Sequence, residues 1–407
     1  MEETEMTQYT SERQRGHGGL LFVLGMVCGI VMAVCAVLLA ILLFGKRGIV
    51  DVATKRKLDL IGEYIDTRFY RTEVDHAALR EGMYAGMVDA LGDPYSVYYT
   101  EEDLTEIMSD IEGVYEGIGA YMMVTQDSEY PVVAGTMSGS PAERAGLMEN
   151  DLLTAVEGES TAGLDLATVV SRVRGEHGTS VRLTILRGGE SFDVEIVRDR
   201  IESPTVETRD PEDGIGYLAI SEFDDVTPDQ FAEGLAALKS REMQGLILDL
   251  RSNTGGNLDA VCDIARMLLP EGNIVYTLDR DGNRENYTCD GKHAVDFPIV
   301  VLTNGYTASA SEILAGAIRD HGLGKLVGTT TYGKGVVQRI FRLDDDSAIK
   351  LTVENYYTPA GTDLNGVGLS PDVEVVFDDE AYRADGTDNQ LQRGEEVLRE
   401  LMRNRGN

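Results

Sequence analysis

The run from Leu20 to Phe44 carries no charged side chain and is built largely from Leu, Val, Ile, Met and Ala. A backbone surrounded by hydrocarbon must satisfy its hydrogen bonds internally, and a single run does so only as a helix. At about 1.5 Å per residue the run would extend roughly 37 Å, enough to cross a bilayer with some tilt. It exceeds the apolar part of a secretory leader, and Gly45-Lys46-Arg47 follows it where a small-residue cleavage site would stand. The expectation is a polar tail over 1–19 and one transmembrane helix over 20–44, with a buried core helix as the alternative. Arg13 and Arg15 precede the run, while Lys46, Arg47, Lys55, Arg56 and Lys57 follow it. By the positive-inside rule those charges place the body in the cytoplasm.

The chain of 407 residues is 43% hydrophobic and 26% charged, a composition that folds and is long enough for several domains. It holds 36 Lys+Arg against 70 Asp+Glu, a net charge of −34. Such a surface repels phosphate backbones, so nucleic acid is not an expected partner. Cys28 and Cys35 lie inside the apolar run; Cys262 and Cys289 stand alone in the body, as one disulfide or two buried thiols. No CxxC, HExxH or His/Cys cluster occurs, so neither a metal site nor a cofactor is expected. Asp279-Arg-Asp-Gly-Asn283 has some calcium-loop character but lacks the distal Glu, and reads as a hairpin turn.

Beyond the apolar run, 48–106 reads as a helical arm. Leu58, Ile61, Tyr64 and Ile65 keep a helical period, as do Leu79, Met83, Met87 and Leu91, until Gly92 and Pro94 stop the second helix. Over 107–199 short strands and turns alternate, with helical pieces near Ser140–Ala145 and Leu164–Val173, a small β-rich domain. Over 200–376 buried-strand runs at Gly216–Ile220, Gly245–Leu250 and Ile299–Leu302 alternate with helical segments, an α/β core. The tail over 377–407 is polar, then helical through Leu391, Val397 and Leu401.

Three segments of the core carry chemistry. After Leu302, Gly305 turns the chain and a small-residue helix begins near Ser309, placing a serine at a strand-to-helix corner beside unpaired helix N–H groups. Ser309-x-x-Glu312 also satisfies a capping box, and by itself favours a mere helix cap. Asp249-Leu-Arg-Ser-Asn253-Thr-Gly255-Gly256 ends a buried strand with paired glycines, which permit close backbone approach to a ligand. Thr331-Tyr-Gly333-Lys334-Gly335 sets a lysine between two glycines, with Gln338 four residues beyond it; alone, such a lysine is an ordinary solvated one.

In order along the chain, these segments resemble the carboxyl-terminal processing proteases, the tail-specific serine peptidases of family S41. Leu79–Ser96 is similar to the helical segment ahead of the family's PDZ domain. Gly117-Ile118-Gly119-Ala120, Ser140–Leu147 and Asp151-Leu-Leu are similar to PDZ motifs, although Asn150 stands where Gly is usual; Gly366–Asp372 completes the core set. The resemblance implies a crotonase/ClpP-like α/β peptidase core with an inserted PDZ domain, flanking helices and the transmembrane anchor. It implies Ser309 as nucleophile, Lys334 as general base, Gln338 as the residue orienting the lysine, and the N–H groups of Gly255 and Ala310 as oxyanion hole. Ser311 is the rival serine. Gly117, Ile118, Gly119 and Ala120 would receive a substrate's terminal carboxylate, with Arg172 and Arg174 close by in sequence. A lysine base must be neutral near pH 7, which burial achieves by lowering its pKa.

The implied protein is a membrane-anchored serine endopeptidase taking protein substrates with free C-termini. Its body would lie outside the cytoplasm, the reverse of what the flanking charges suggest. The flanking helices would form a homodimer interface or pack on their own subunit. Three other readings compete: a Ser-His triad using one of five histidines, a non-catalytic PDZ adaptor on an inactive scaffold, and a crotonase-like enzyme acting on acyl thioesters.

Overall fold

The computed structural model describes 18–44, 48–125 and 128–405. A helix over Gly18–Phe44 covers the apolar run. Its side chains are described over 22–35, and the rest of the expected span lies outside them, as does most of the polar tail. Among the described residues no helix is long and apolar enough to cross a membrane. The chain divides into two compact units at Leu79/Arg80.

In the first unit the helix Val52–Arg68 is capped by Asp51, whose carboxylate accepts the Thr54 N–H at 2.7 Å. The stripe residues Leu58 and Ile61 stay exposed, as do Leu79, Met83, Met87 and Leu91 around the helix His76–Asp89.

The second unit is built on a six-stranded sheet. Its order runs Val206–Glu212, Ile215–Ile220, Gly245–Asp249, Ile299–Thr303, Gly324–Gly328, Val373–Glu374, all parallel except the first pair. Gly245–Asp249 and Ile299–Thr303 are buried along their whole length, which explains why they read as unbroken apolar runs. Alternate residues feed two cores. Leu246, Leu248 and Val301 pack with the helices Thr227–Ser240, Leu258–Arg266 and Ala310–Asp320. Ile247, Val300 and Leu302 pack with Val397 and Leu398 of the C-terminal helix Asn389–Arg405. That flanking helix therefore spends its apolar stripe on its own subunit.

A second sheet joins Val97–Tyr99, Ala348–Tyr357, Gly272–Asp279 and Arg284–Cys289, with Val336–Arg342 also paired to Ala348–Tyr357. The sequence reading keeps the helical arm to 106, but beyond the stop at Gly92 and Pro94 the β-favouring run Val97-Tyr98-Tyr99 pairs with Lys350, Ile349 and Ala348. The helix Glu101–Glu112, opened by a capping box at Thr100, runs past the end of the expected arm at 106 into what read as the β-rich domain. Asp279–Asn283 is the turn of the hairpin Gly272–Asp279/Arg284–Cys289, its Asp279 carboxylate accepting the Asp281 and Asn283 N–H groups.

The β-rich domain closes around Ile118, Leu153, Val169, Val181, Leu183 and Ile185. Asn150 sits at φ +69°, a left-handed position that asparagine tolerates better than most residues. That explains how it stands in for glycine ahead of Asp151, whose buried carboxylate pairs with Arg187 at 2.5 Å.

Candidate active site

Ser309 lies between the end of the strand Ile299–Thr303 and the helix Ala310–Asp320, at φ 56° and ψ −119°. Such a backbone costs on the order of 1–3 kcal/mol and persists only where surrounding bonds hold it. Those bonds are present. Thr307 Oγ1 donates to the Leu250 carbonyl at 2.8 Å, and the Ala308 N–H to the Asn253 carbonyl at 3.0 Å. The Ser309 N–H donates to the buried Glu312 carboxylate at 2.9 Å, one arm of the capping box. The Glu312 N–H goes to the Ser309 carbonyl at 2.9 Å, with no side-chain cap bond drawn to the serine hydroxyl. Ser309 is thus half-buried at the wall of a cleft of about 810 Å³ that Ala310, Lys334 and Gln338 also line. Ser311 is fully buried and its hydroxyl donates to the Asn253 carbonyl at 3.1 Å, so it does not face the cleft.

Gly255 packs directly on the serine. A Cβ there would stand 2.7 Å from the Ser309 Cβ and 3.0 Å from the Ala310 nitrogen, and its φ of +108° independently calls for glycine. Its N–H, however, donates to Asn253 Oδ1 at 2.8 Å, while Asn253 Nδ2 donates to the Ile220 carbonyl at 2.8 Å. In this arrangement Gly255 therefore offers no free oxyanion donor. A glycine at a strand end signals close approach, but where its N–H points depends on the neighbouring asparagine. Ala310 opens the helix, so its N–H has no intrahelical acceptor, and it sits at the positive end of the helix dipole.

Lys334 reaches the same cleft from a loop pinned on both sides. Gly333 and Gly335 are required by the strap at 364–368: a Cβ on Gly333 would stand 2.8 Å from the Gly368 nitrogen, and one on Gly335 2.5 Å from the Asn365 nitrogen. Glu312 ties this loop to the serine corner. Its carboxylate accepts from the Thr331 hydroxyl at 2.5 Å, the Gly333 N–H at 2.8 Å and the Lys334 N–H at 2.9 Å, besides the Ser309 N–H. The buried Tyr356 hydroxyl is a second tie, its one proton shared between the Ser309 carbonyl at 3.1 Å and the Lys334 carbonyl. The capping-box spacing points to Glu312 only as a cap; nothing local in the sequence marks Tyr356.

Burial lowers the Lys334 pKa below the ordinary lysine value, and the nearby Lys350 charge acts in the same direction, against the opposing carboxylates of Asp93 and Glu312. Its ammonium nitrogen lies 4.8 Å from the centre of the Tyr95 ring. Gln338 sits at a register shift between Val336–Arg342 and Ala348–Tyr357, and its amide donates to Thr352 Oγ1 at 3.2 Å. The structure thus brings Ser309, Lys334 and Gln338 to one cleft without side-chain hydrogen bonds among them. Among the described residues no histidine lines this cleft. The His321 ring instead meets the Asn273 carbonyl at 2.7 Å. Cys262 and Cys289 are free buried thiols, and burial pushes Cys262 up to about 12.

Gly117, Ile118, Gly119 and Ala120 line a separate pocket of about 190 Å³ with Met122, Val170, Val173 and Arg174. Arg174 lies over the Tyr115 ring at 5.0 Å, whereas Arg172 pairs with Glu159 at 3.1 Å and is not part of that lining. A larger cavity of about 1080 Å³, beside Asp249 and Arg251, contains none of Ser309, Lys334 or Gln338. Three of its charges are paired with one another: Arg251 holds Asp249 at 2.6 Å and Asp388 at 2.8 Å.

Comparison with known proteins places each part. Residues 214–375 match the Peptidase family S41 model, 132–187 match a PDZ domain, and 51–103 match the activating protease CtpB N-terminal domain. The chain is 37% identical over 320 residues to a carboxyl-terminal-processing protease of Synechocystis, covering 77% of this chain and 74% of that protein. It is 36% identical over 312 residues to the carboxy-terminal processing protease CtpB of Bacillus subtilis, covering 75% of this chain and 65% of the relative. Among solved structures, the photosystem II D1 C-terminal processing protease shares 30% identity over 78% of this chain and 86% of its own, at a TM-score of 0.47.

Proposed function

Because the chain belongs to the carboxyl-terminal processing proteases of peptidase family S41, we propose that it is a serine endopeptidase that selects protein substrates by their free C-termini. Ser309 is the nucleophile and Lys334 its general base. The observation that carries this reading is the double tie from Glu312 and Tyr356, which makes the serine corner and the lysine loop one rigid piece.

In the reaction, neutral Lys334 takes the Ser309 proton as Oγ attacks the scissile carbonyl carbon. The tetrahedral oxyanion faces the Ala310 N–H and the helix N-terminus; Gly255 joins them once its N–H leaves Asn253. Collapse expels the amine, which takes the proton back from Lys334, and leaves an acyl-enzyme that water hydrolyses by the same route in reverse. Substrate entry turns Lys334 from the Tyr95 ring toward Ser309, and Gln338 from Thr352 toward the lysine. The small apolar pocket at 117–120 takes the terminal side chain, with Arg174 at its mouth drawing the carboxylate. The uncharged helix Gly18–Phe44 supports membrane anchoring, and we assign the body to the extracytoplasmic side, as the family resemblance implies.

The test uses peptides that end in an apolar residue, as free acid or as amide. Ser309→Ala and Lys334→Ala should each reduce cleavage on the order of 10⁴-fold or more with unchanged thermal unfolding. The free acid should be cut faster than the amide. Full activity in either variant refutes the dyad; equal cleavage of acid and amide refutes carboxylate selection. Tail binding by a wild-type protein that cuts nothing would favour the adaptor.

A further inference from the structure

The turn after the helix His76–Asp89 supplies no reacting group to the mechanism above, yet it is held with care. Gly92 takes φ +69°; the Asp93 carboxylate accepts the Tyr95 N–H at 3.1 Å and the Ser96 hydroxyl at 2.6 Å. The Thr352 N–H donates to Ser96 Oγ at 3.2 Å, and the following strand Val97–Tyr99 pairs with Lys350, Ile349 and Ala348. The turn is therefore clamped to the strand that also supplies Tyr356. The result is to hold the half-buried Tyr95 ring 4.8 Å from the Lys334 ammonium nitrogen.

Among the described residues that nitrogen forms no hydrogen bond or ion pair. Asp93 from the turn and Glu312 from the helix attract its charge, and Lys350 from the strand repels it. Tyr356 on that strand and Tyr332 on the lysine's own loop are titratable groups beside it as well. Asp110, Glu222, Asp224, Asp259, Glu285, Tyr287 and Arg339 line the rest of the cleft. An aromatic face attracts an ammonium through its quadrupole and leaves a neutral amine nearly unaffected, so the ring acts on one protonation state only.

We propose that Tyr95 is a positioning residue whose ring face holds Lys334 as an ammonium ion, clear of Ser309, until substrate turns it inward. This rests on Lys334 being the base. The hydroxyl of Tyr95 is not needed for the effect, whereas the ring is. Loss of the ring makes the neutral amine easier to form, and the alkaline rise of cleavage then begins at lower pH.

The experiment measures kcat/KM against pH for the full chain as wild type, Tyr95→Phe and Tyr95→Leu. The acidic limb should move about half to one unit to lower pH in Tyr95→Leu, and stay in place in Tyr95→Phe. In a Ser309→Ala background, the pH dependence of Lys334 acylation by an amine-reactive ester, read by mass spectrometry, should move by the same amount. That second titration needs no cleavage, so a wild type inert at every pH would overturn the dyad while Tyr95 is still judged by the amine. An unmoved titration in Tyr95→Leu, or an equal shift in Tyr95→Phe, overturns the proposal. Should Tyr95→Leu lower the unfolding temperature sharply, Tyr95→Met supplies the same loss of ring with more bulk retained, and the same two outcomes decide.

Discussion

Glu312 is a buried carboxylate that accepts three backbone N–H groups and one hydroxyl, from Ser309, Gly333, Lys334 and Thr331. A buried anion is tolerated when its lone pairs are filled in this way, and each bond to it is a charge-assisted one. Glu312→Gln keeps the shape but turns an NH2 group toward N–H donors. It should lower unfolding stability by about 3 kcal/mol in urea titration, and reduce kcat/KM by about 10²-fold or more. Loss of stability without loss of rate would show that the tie matters to the fold alone. The sequence places Glu312 in a capping box, which is correct for one of its four bonds. The other three come from a loop some twenty residues later, which local spacing does not reveal. Gly255 teaches the same lesson in reverse: its need for a missing Cβ is legible from the paired glycines, while its N–H is committed by the Asn253 side chain.

The elements that read most clearly were those buried on both faces, because their apolar runs leave little room for another interpretation. The strands Val336–Arg342 and Ala348–Tyr357 escaped notice; they are half-buried, carry charges, and pair with segments as distant as Val97–Tyr99. Where the helix Glu101–Glu112 meets the core, the Asp225 N–H donates to the Ile111 carbonyl at 3.0 Å and Gly113 packs on Asp224. Burial first, then the charges of Glu222, Asp110 and Asp225, push Asp224 up to about 7. With a folded value above the ordinary 3.8, the folded state binds more protons between about pH 4 and pH 7, and stability falls as pH rises through that window. Asp224→Asn should remove this fall and gain about 1–3 kcal/mol at pH 8. Urea unfolding at pH 5 and pH 8 checks it, and an unchanged pH dependence would assign the loss to other groups.

At the scale of the whole molecule, the uncharged helix Gly18–Phe44 and the strongly acidic remainder of a chain whose net charge is −34 pull toward different surroundings. An anionic bilayer does not attract such a body, so the proposed anchoring rests on the helix alone. The full chain should sediment with membranes through an alkaline carbonate wash, and a chain beginning at Gly48 should stay in the supernatant while cutting the same peptides. Recovery of both in the supernatant would remove the anchor. By itself the sequence determined the order of parts, the apolar runs of the core sheet, and the presence of a serine and a lysine in glycine-bounded turns. These are properties of short windows, where periodicity and missing side chains speak directly. Only the tertiary structure decided that one carboxylate and one phenol bind the two turns together, that Asn253 occupies a donor, and that Tyr95 faces the lysine. Each of those depends on pairing across long stretches of chain, and such contacts exist only once the sheets have closed.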